Sequence, residues 1–250
     1  MAICEDGADF GRVGKLCWLV WTNLFRLIQT MGCKFCEEYR EEFFAALRRL
    51  ANVWETSHSN EFEVWENEPP EALDLVERGL AMRSSNPAEA CAIFEQAVRV
   101  GSVVAEHNLG WHHFAGQGVR KNLVAAKQHY EAAYRGGSQL ALLDYCSVCF
   151  IIGNTKECLE SLKDEIKQDF LPAHYHYACF LDKLSDESRM SAEVRHHLEI
   201  SAKAEQPEAM FWLGRSMLRG SHGASKIPRG AHICWRVFKM VREERERNGG

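Results

Sequence analysis

Proline is scarce in this 250-residue chain, with six in all. With aromatics at 10% and hydrophobic residues at 46%, long disordered tracts are excluded, because such tracts lack the apolar surface that folding requires. Positive charge is not in excess either. Thirty Lys and Arg face 35 Asp and Glu, for a formal net charge of −5, which argues against a nucleic-acid binder that must neutralise phosphates with a concentrated basic surface. The apolar run Leu16–Met31 falls short of the roughly 20 residues a bilayer span needs, and Asn23 and Arg26 interrupt it. The first residues include Glu5, Asp6 and Asp9, where a secretory leader requires a positive start. Catalytic signatures are missing too: no H-E-x-x-H, G-x-S-x-G or phosphate-loop pattern occurs.

Cysteine, in contrast, is plentiful, with ten residues. Cys91, Cys146, Cys149, Cys158, Cys179 and Cys234 lie in apolar helical stretches, where a reduced thiol behaves as a small buried hydrophobe. That usage points to a reducing compartment, the cytoplasm. Cys33-x-x-Cys36 invites a zinc or redox reading. A structural zinc site needs four ligands, however, and the one other such pair, Cys146-x-x-Cys149, sits within a repeat helix. A thioredoxin-like motif would need a βαβ setting, and no strand pattern lies nearby. Histidine pairs at His112-His113, His174-x-His176 and His196-His197 resemble ligand sets. Adjacent residues on a helix point about 100° apart, so neither adjacent pair can grip one ion from a single face. No metal or cofactor is expected.

What the chain does have is internal periodicity. The clearest unit is 102–137. Its first half reads as a helix with Ala105, Leu109 and His113 inward at i, i+4 and i+8. Gly116 and Gly118 break it, and a second helix follows with Ala126, Tyr130 and Ala133 facing back. Gly136-Gly137 closes the hairpin. Ala105, Ala141, Ala173 and Ala209 open successive first helices at spacings of 36, 32 and 36 residues. Leu109-Gly110 recurs as Tyr145-Cys146, Tyr177-Ala178 and Leu213-Gly214, large then small. Ala90, Phe94, Ala97 and Gly101 stand 36 residues before Ala126, Tyr130, Ala133 and Gly137. Stacking such hairpins buries faces that one hairpin cannot bury alone.

On LGWHHFAGQGV at Leu109–Val119 and AAKQHYEAAYRGG at Ala125–Gly137, the chain resembles the Sel-one-like repeat, a relative of the tetratricopeptide repeat, with His113 where the family usually has tyrosine. The resemblance implies an all-α, right-handed solenoid of stacked helix hairpins. It runs as a partial repeat at 69–101 and full repeats at 102–137, 138–170, 171–205 and 206–242, with a tail at 243–250 (Arg242–Arg247 reading as a solvated helix end). It also implies binding rather than catalysis. The expected function is a non-enzymatic adaptor for another protein, in one version an inhibitory or immunity partner of a bacterial toxin or effector. The alternatives are a hydrolase-like enzyme of the family and a membrane-associated assembly factor.

Residues 1–68 lie outside the period. Gly14–Met31 and Phe35–Trp54 read as helices, the second with Phe43, Phe44, Leu47, Leu50 and Trp54 on its apolar side. They are expected to cap the open end of the solenoid. The competing reading, a membrane-surface helix inserting Trp18, Trp21 and Phe25, would need a polar face richer in Lys and Arg. Partner contact is expected on the concave wall of the first helices. There Asn108 and Trp111, Asp144 and His176, and Trp212 and Arg215 fall at non-core positions, flanked by Tyr175 and Phe211. Tryptophan, tyrosine and arginine dominate protein-recognition hot spots.

Overall fold

A computed structural model describes residues 34–184, 190–220 and 222–248. The expected helix at Gly14–Met31, Cys33 and part of the charged linker Asp182–Arg189 lie outside the described residues. All regular structure within them is helical. In chain order the helices are α1 (Lys34–Ser57), α2 (Glu61–Glu66), α3 (Pro70–Met82), α4 (Pro87–Arg99), α5 (Val103–Ala115), α6 (Leu123–Arg135), α7 (Gln139–Ile152) and α8 (Thr155–Lys167). They continue as α9 (Leu171–Leu184), α10 (Ala192–Lys203), α11 (Pro207–Leu218), a 3-10 turn at Ala224–Lys226 and α12 (Ile227–Asn248).

The described residues divide into two compact units, one within 52–206 and one formed by 34–51 together with those from 207 to 248. In the first, hairpins α3/α4, α5/α6, α7/α8 and α9/α10 stack in sequence order, which makes an α-solenoid. Helix starts are set by side chains. Asn86, Ser102, Asn122, Ser138 and Ser191 each accept a backbone N–H of the following turn, satisfying donors that a helix start leaves free.

Helix ends carry the period further than residue types do. Gly101, Gly137, Asp169 and Glu205 all have positive φ, between 62° and 105°. After each, the next residue's N–H reaches back to a carbonyl: Ser102 to Ala97, Ser138 to Ala133, Phe170 to Glu165 and Gln206 to Ser201. This is one left-handed helix terminator repeated at 36, 32 and 36 residues. Two copies have lost the glycine that the conformation favours.

Within each hairpin a small residue admits a large one. A Cβ on Gly110 would lie 2.6 Å from the Tyr130 ring, and one on Gly79 2.6 Å from Phe94. At the hairpin turn, Gly118 (φ 75°) lies so close to Pro87 that a Cβ would fall 2.2 Å from its carbonyl oxygen; only glycine permits that approach. Phe94, Ala105 and Leu109 centre one apolar cluster, and Tyr130, Leu142, Cys146, Leu162 and Tyr177 centre a second. The inward histidine of α5 is His112, fully buried with Nδ1 2.7 Å from the Gln117 carbonyl. It is not His113, which is only partly buried and stacks on His129. At about 100° per residue His112 and His113 flank the Leu109 face on opposite sides, so periodicity alone does not choose between them; the turn carbonyl of Gln117 meets the ring of His112 and so satisfies it when buried.

In the other unit, α11 and α12 form a hairpin and α1 packs against it. Ala46, Leu47 and Ala51 are buried, and Phe43 and Phe44 meet Phe211 at 5.7 and 5.6 Å between ring centroids. Arg49 grips Glu244 through two bonds of 2.6 and 3.0 Å, and Arg245 pairs with Glu42. The stretch Arg242–Arg247, expected as a solvated helix end, therefore has one face tied down, and Glu244 is only 4% exposed. Its partners lie some 200 positions earlier, out of reach of any local pattern.

Candidate functional site

The first helices of the hairpins line up the wall on which partner residues were expected. In the unit 52–206 the open part of that wall is built by α3, α5 and α7. Arg83 caps the C-terminus of α3 and lays its guanidinium over the Trp111 ring, 3.9 Å from the centroid. Its Nη1 donates to Asn108 Oδ1 at 3.4 Å, and Asn108 Nδ2 is anchored on the Val104 carbonyl at 2.8 Å. Among the described residues no carboxylate pairs with Arg83, and burial lowers its pKa from the usual guanidinium value. One turn away, His107 Nε2 meets Asp144 at 2.8 Å. Burial alone would lower the His107 pKa, but the hydrogen bond and charge of Asp144, with Glu61, raise it. Ser147 bonds its own helix at the Leu143 carbonyl.

Farther along, the same unit closes its wall with α1. His176 Nε2 meets Glu55 of α1 at 2.9 Å, and the two side chains are 18% and 12% exposed. Trp54 Nε1 donates to the Ala204 carbonyl at 2.9 Å, and Tyr175 is 7% exposed. Tyr175 and His176 thus serve internal packing. In the other unit Phe211 is covered by Phe43 and Phe44, while its neighbour Trp212 remains 39% exposed. The Arg215 guanidinium lies 5.1 Å from the Trp212 ring. Its pKa is lowered by burial and by Arg219, and among the described residues no carboxylate pairs with it and its buried Nε has no hydrogen-bond partner.

Of the eight expected contact residues, Asn108, Trp111 and Asp144 gather on one open wall, and Trp212 with Arg215 forms a second patch on the other unit. His176 and Phe211 are met by α1, the first described helix, and Tyr175 is buried. Arg83 was missed because it belongs to α3, in the partial repeat, where no wall residue had been assigned.

The histidine and cysteine clusters show what chemistry is at hand. His174 Nδ1 and His197 Nδ1 approach to 2.8 Å. Burial, then the charges of His197 and His196, hold the His174 pKa down to about 4. Among the described residues no three metal-binding side chains converge, and Cys91, Cys146, Cys149, Cys158, Cys179 and Cys234 are free thiols. Burial raises the Cys146 thiol pKa well above its usual range, the reverse of what a nucleophile needs.

Comparison with known proteins agrees with this architecture. The family model described as Sel1 repeat matches residues 103–138 and 207–231. A Sel1 repeat protein from Oxalobacter formigenes superposes with a TM-score of 0.54 at 15% identity, over 73% of this chain and 76% of that one. A protective antigen of uropathogenic Escherichia coli displaying an SLR fold gives a TM-score of 0.51 at 14% identity over 68% of this chain, which spans 38% of the antigen. An immunity protein from Pseudomonas aeruginosa aligns over 72% of this chain and 84% of its own at 15% identity, with a TM-score of 0.36. A superposition that loose shows neither a shared fold nor a shared role. No curated protein sequence matches the chain.

Proposed function

For this chain of the Sel1-like repeat family, we propose a non-enzymatic scaffold that holds a partner protein against the open walls of its first helices. Sel1 repeat proteins generally mediate protein–protein interaction. The observation that carries the reading here is a tryptophan on each wall. Trp111 is partly exposed beneath Arg83 and Trp212 is 39% exposed beside Arg215. Large rings held rigidly by their neighbours lose little entropy on binding, which is why Trp and Arg recur among hot spots. Asn108 and Asp144 supply polar contacts around Trp111. The six free thiols seen among the described residues, most of them buried, support a reducing, cytoplasmic setting.

The test is affinity capture from the source cell with tagged full-length protein. Trp111→Ala and Trp212→Ala should each weaken recovery of a partner by about tenfold, an ordinary hot-spot loss of about 1.4 kcal/mol or more, while far-UV circular dichroism stays unchanged. Equal recovery with all three proteins at intact helicity refutes the reading.

A further inference from the structure

Two kinds of partner recur among the described arginines. Arg49, Arg78, Arg135, Arg242 and Arg245 each have a carboxylate. Arg83 and Arg215 have an indole instead, and both are partly desolvated without an ion pair. Leaving a guanidinium half-buried and unpaired is costly unless something supplies the missing charge. Arg215 lies within a stretch that the Sel1 family model matches, and Arg83 reaches from the preceding hairpin onto Trp111 of the other matched stretch. Arg215 follows Leu213-Gly214 as Trp111 follows Leu109-Gly110, so in the second unit a guanidinium stands at the register position that an indole holds in the first.

We propose that Arg83 on Trp111, and in the second unit Arg215 beside Trp212, are receptors for carboxylate side chains, so that the partner docks through an acidic segment. This rests on the scaffold reading above and names the chemistry of what is held. The Trp111 ring lies 3.9 Å from the Arg83 guanidinium carbon and the Trp212 ring 5.1 Å from that of Arg215, so each guanidinium has an aromatic neighbour that takes none of its N–H donors in a conventional hydrogen bond. Around Arg83, Asn108 takes one donor, at 3.4 Å, and the rest of the fork is unclaimed. Such a bidentate, charge-assisted pair is the strong form of a hydrogen bond, and Arg suits it better than Lys because the fork is rigid. The surroundings sharpen the selectivity. With a net charge of −5 the chain as a whole repels an acidic segment, so attraction must be local.

The experiment uses full-length protein and fluorescein-labelled hexaglutamate, followed by fluorescence anisotropy, with hexaglutamine and hexalysine as comparison peptides. Hexaglutamate should bind saturably and the other two should not. Arg83→Gln and Arg215→Gln should each weaken binding by about tenfold. Arg99→Gln, which removes the same charge from the exposed end of α4, should leave it unchanged. Arg83→Lys keeps charge and fold and should still weaken binding by about threefold, through loss of the planar fork. The proposal is overturned if hexaglutamate does not bind, if Arg99→Gln weakens it as much as Arg83→Gln, or if Arg83→Lys binds like the wild type. It is also overturned if inorganic phosphate displaces the peptide better than sodium chloride at equal ionic strength. If hexaglutamate fails while Trp111→Ala still abolishes capture of a cellular partner, the acidic-segment inference falls and the scaffold reading stands.

Discussion

Gly110→Ala tests the packing rule on which the hairpins depend. The added Cβ would lie 2.6, 2.7 and 2.9 Å from Cδ1, Cε1 and Cγ of Tyr130, against about 3.5–4.0 Å for an unstrained carbon pair. The ring must retreat by about 1 Å. It has nowhere open to go, because Tyr130 is 2% exposed and packed in the cluster with Ala126, Leu142 and Cys146. Overpacking of this kind costs about 1–3 kcal/mol, and the better helix propensity of alanine returns about 1 kcal/mol. The net expectation is a loss of about 1–2 kcal/mol, read from urea titration followed at 222 nm. Tyr130→Leu in the same background makes room for the methyl, so the double variant should lose about 1 kcal/mol less than the sum of the singles. The reasoning fails if Gly110→Ala is as stable as the wild type or gains stability, or if the two substitutions simply add.

Glu68, 5% exposed, accepts the N–H groups of Val103 and Val104 at 2.7 and 2.9 Å, so Glu68→Ala should cost about 1–2 kcal/mol in thermal or urea unfolding, and Glu68→Gln roughly half of that. Asp169→Gly and Glu205→Gly should each raise stability by up to about 1 kcal/mol in the same assays, since both residues hold positive φ that glycine adopts without strain. The His174–His197 pair makes the α9/α10 hairpin acid-sensitive. Burial first, then neighbouring histidine charge, lowers both pKa values, that of His174 to about 4, so the folded rings stay neutral while unfolded ones protonate near 6.5. Stability is therefore complete above about pH 6.5 and falls as pH drops toward 4, by about 1–2 kcal/mol after allowing for partial exposure. His174→Gln should flatten that slope in chemical denaturation measured between pH 7 and 4; an unchanged slope would dismiss the pair.

The hairpins were legible in the sequence because their signals are local. Ala105, Leu109, Tyr130 and Ala133 recur at helical spacing, Gly116 to Gly118 marks a turn, and Gly101 and Gly137 mark ends. Each depends on residues within a turn or two of one another. Where those letters change, as at Asp169 and Glu205, the terminator persists although no residue type announces it. Backbone hydrogen bonding and the packing of the next hairpin hold the left-handed conformation there against its preference.

The site was half legible. Periodicity put Asn108, Trp111, Asp144, Trp212 and Arg215 on the non-core side of their helices, and that is a one-dimensional property. Which of the expected residues remain open is a matter of distant partners. Glu55 meets His176 from 121 positions away, Phe43 and Phe44 cover Phe211, and Arg83 reaches Trp111 from the preceding hairpin. The sequence by itself determined the repeat, its period and the inward face of nearly every helix, because 3.6-residue geometry and turn chemistry act over a few bonds. Only the tertiary structure decided that α1 covers part of the expected wall, that His112 and not His113 turns inward, and that two arginines rest on indoles without a counter-charge. Side-chain pairing across long separations is set by how the helices stack, and no local pattern records it.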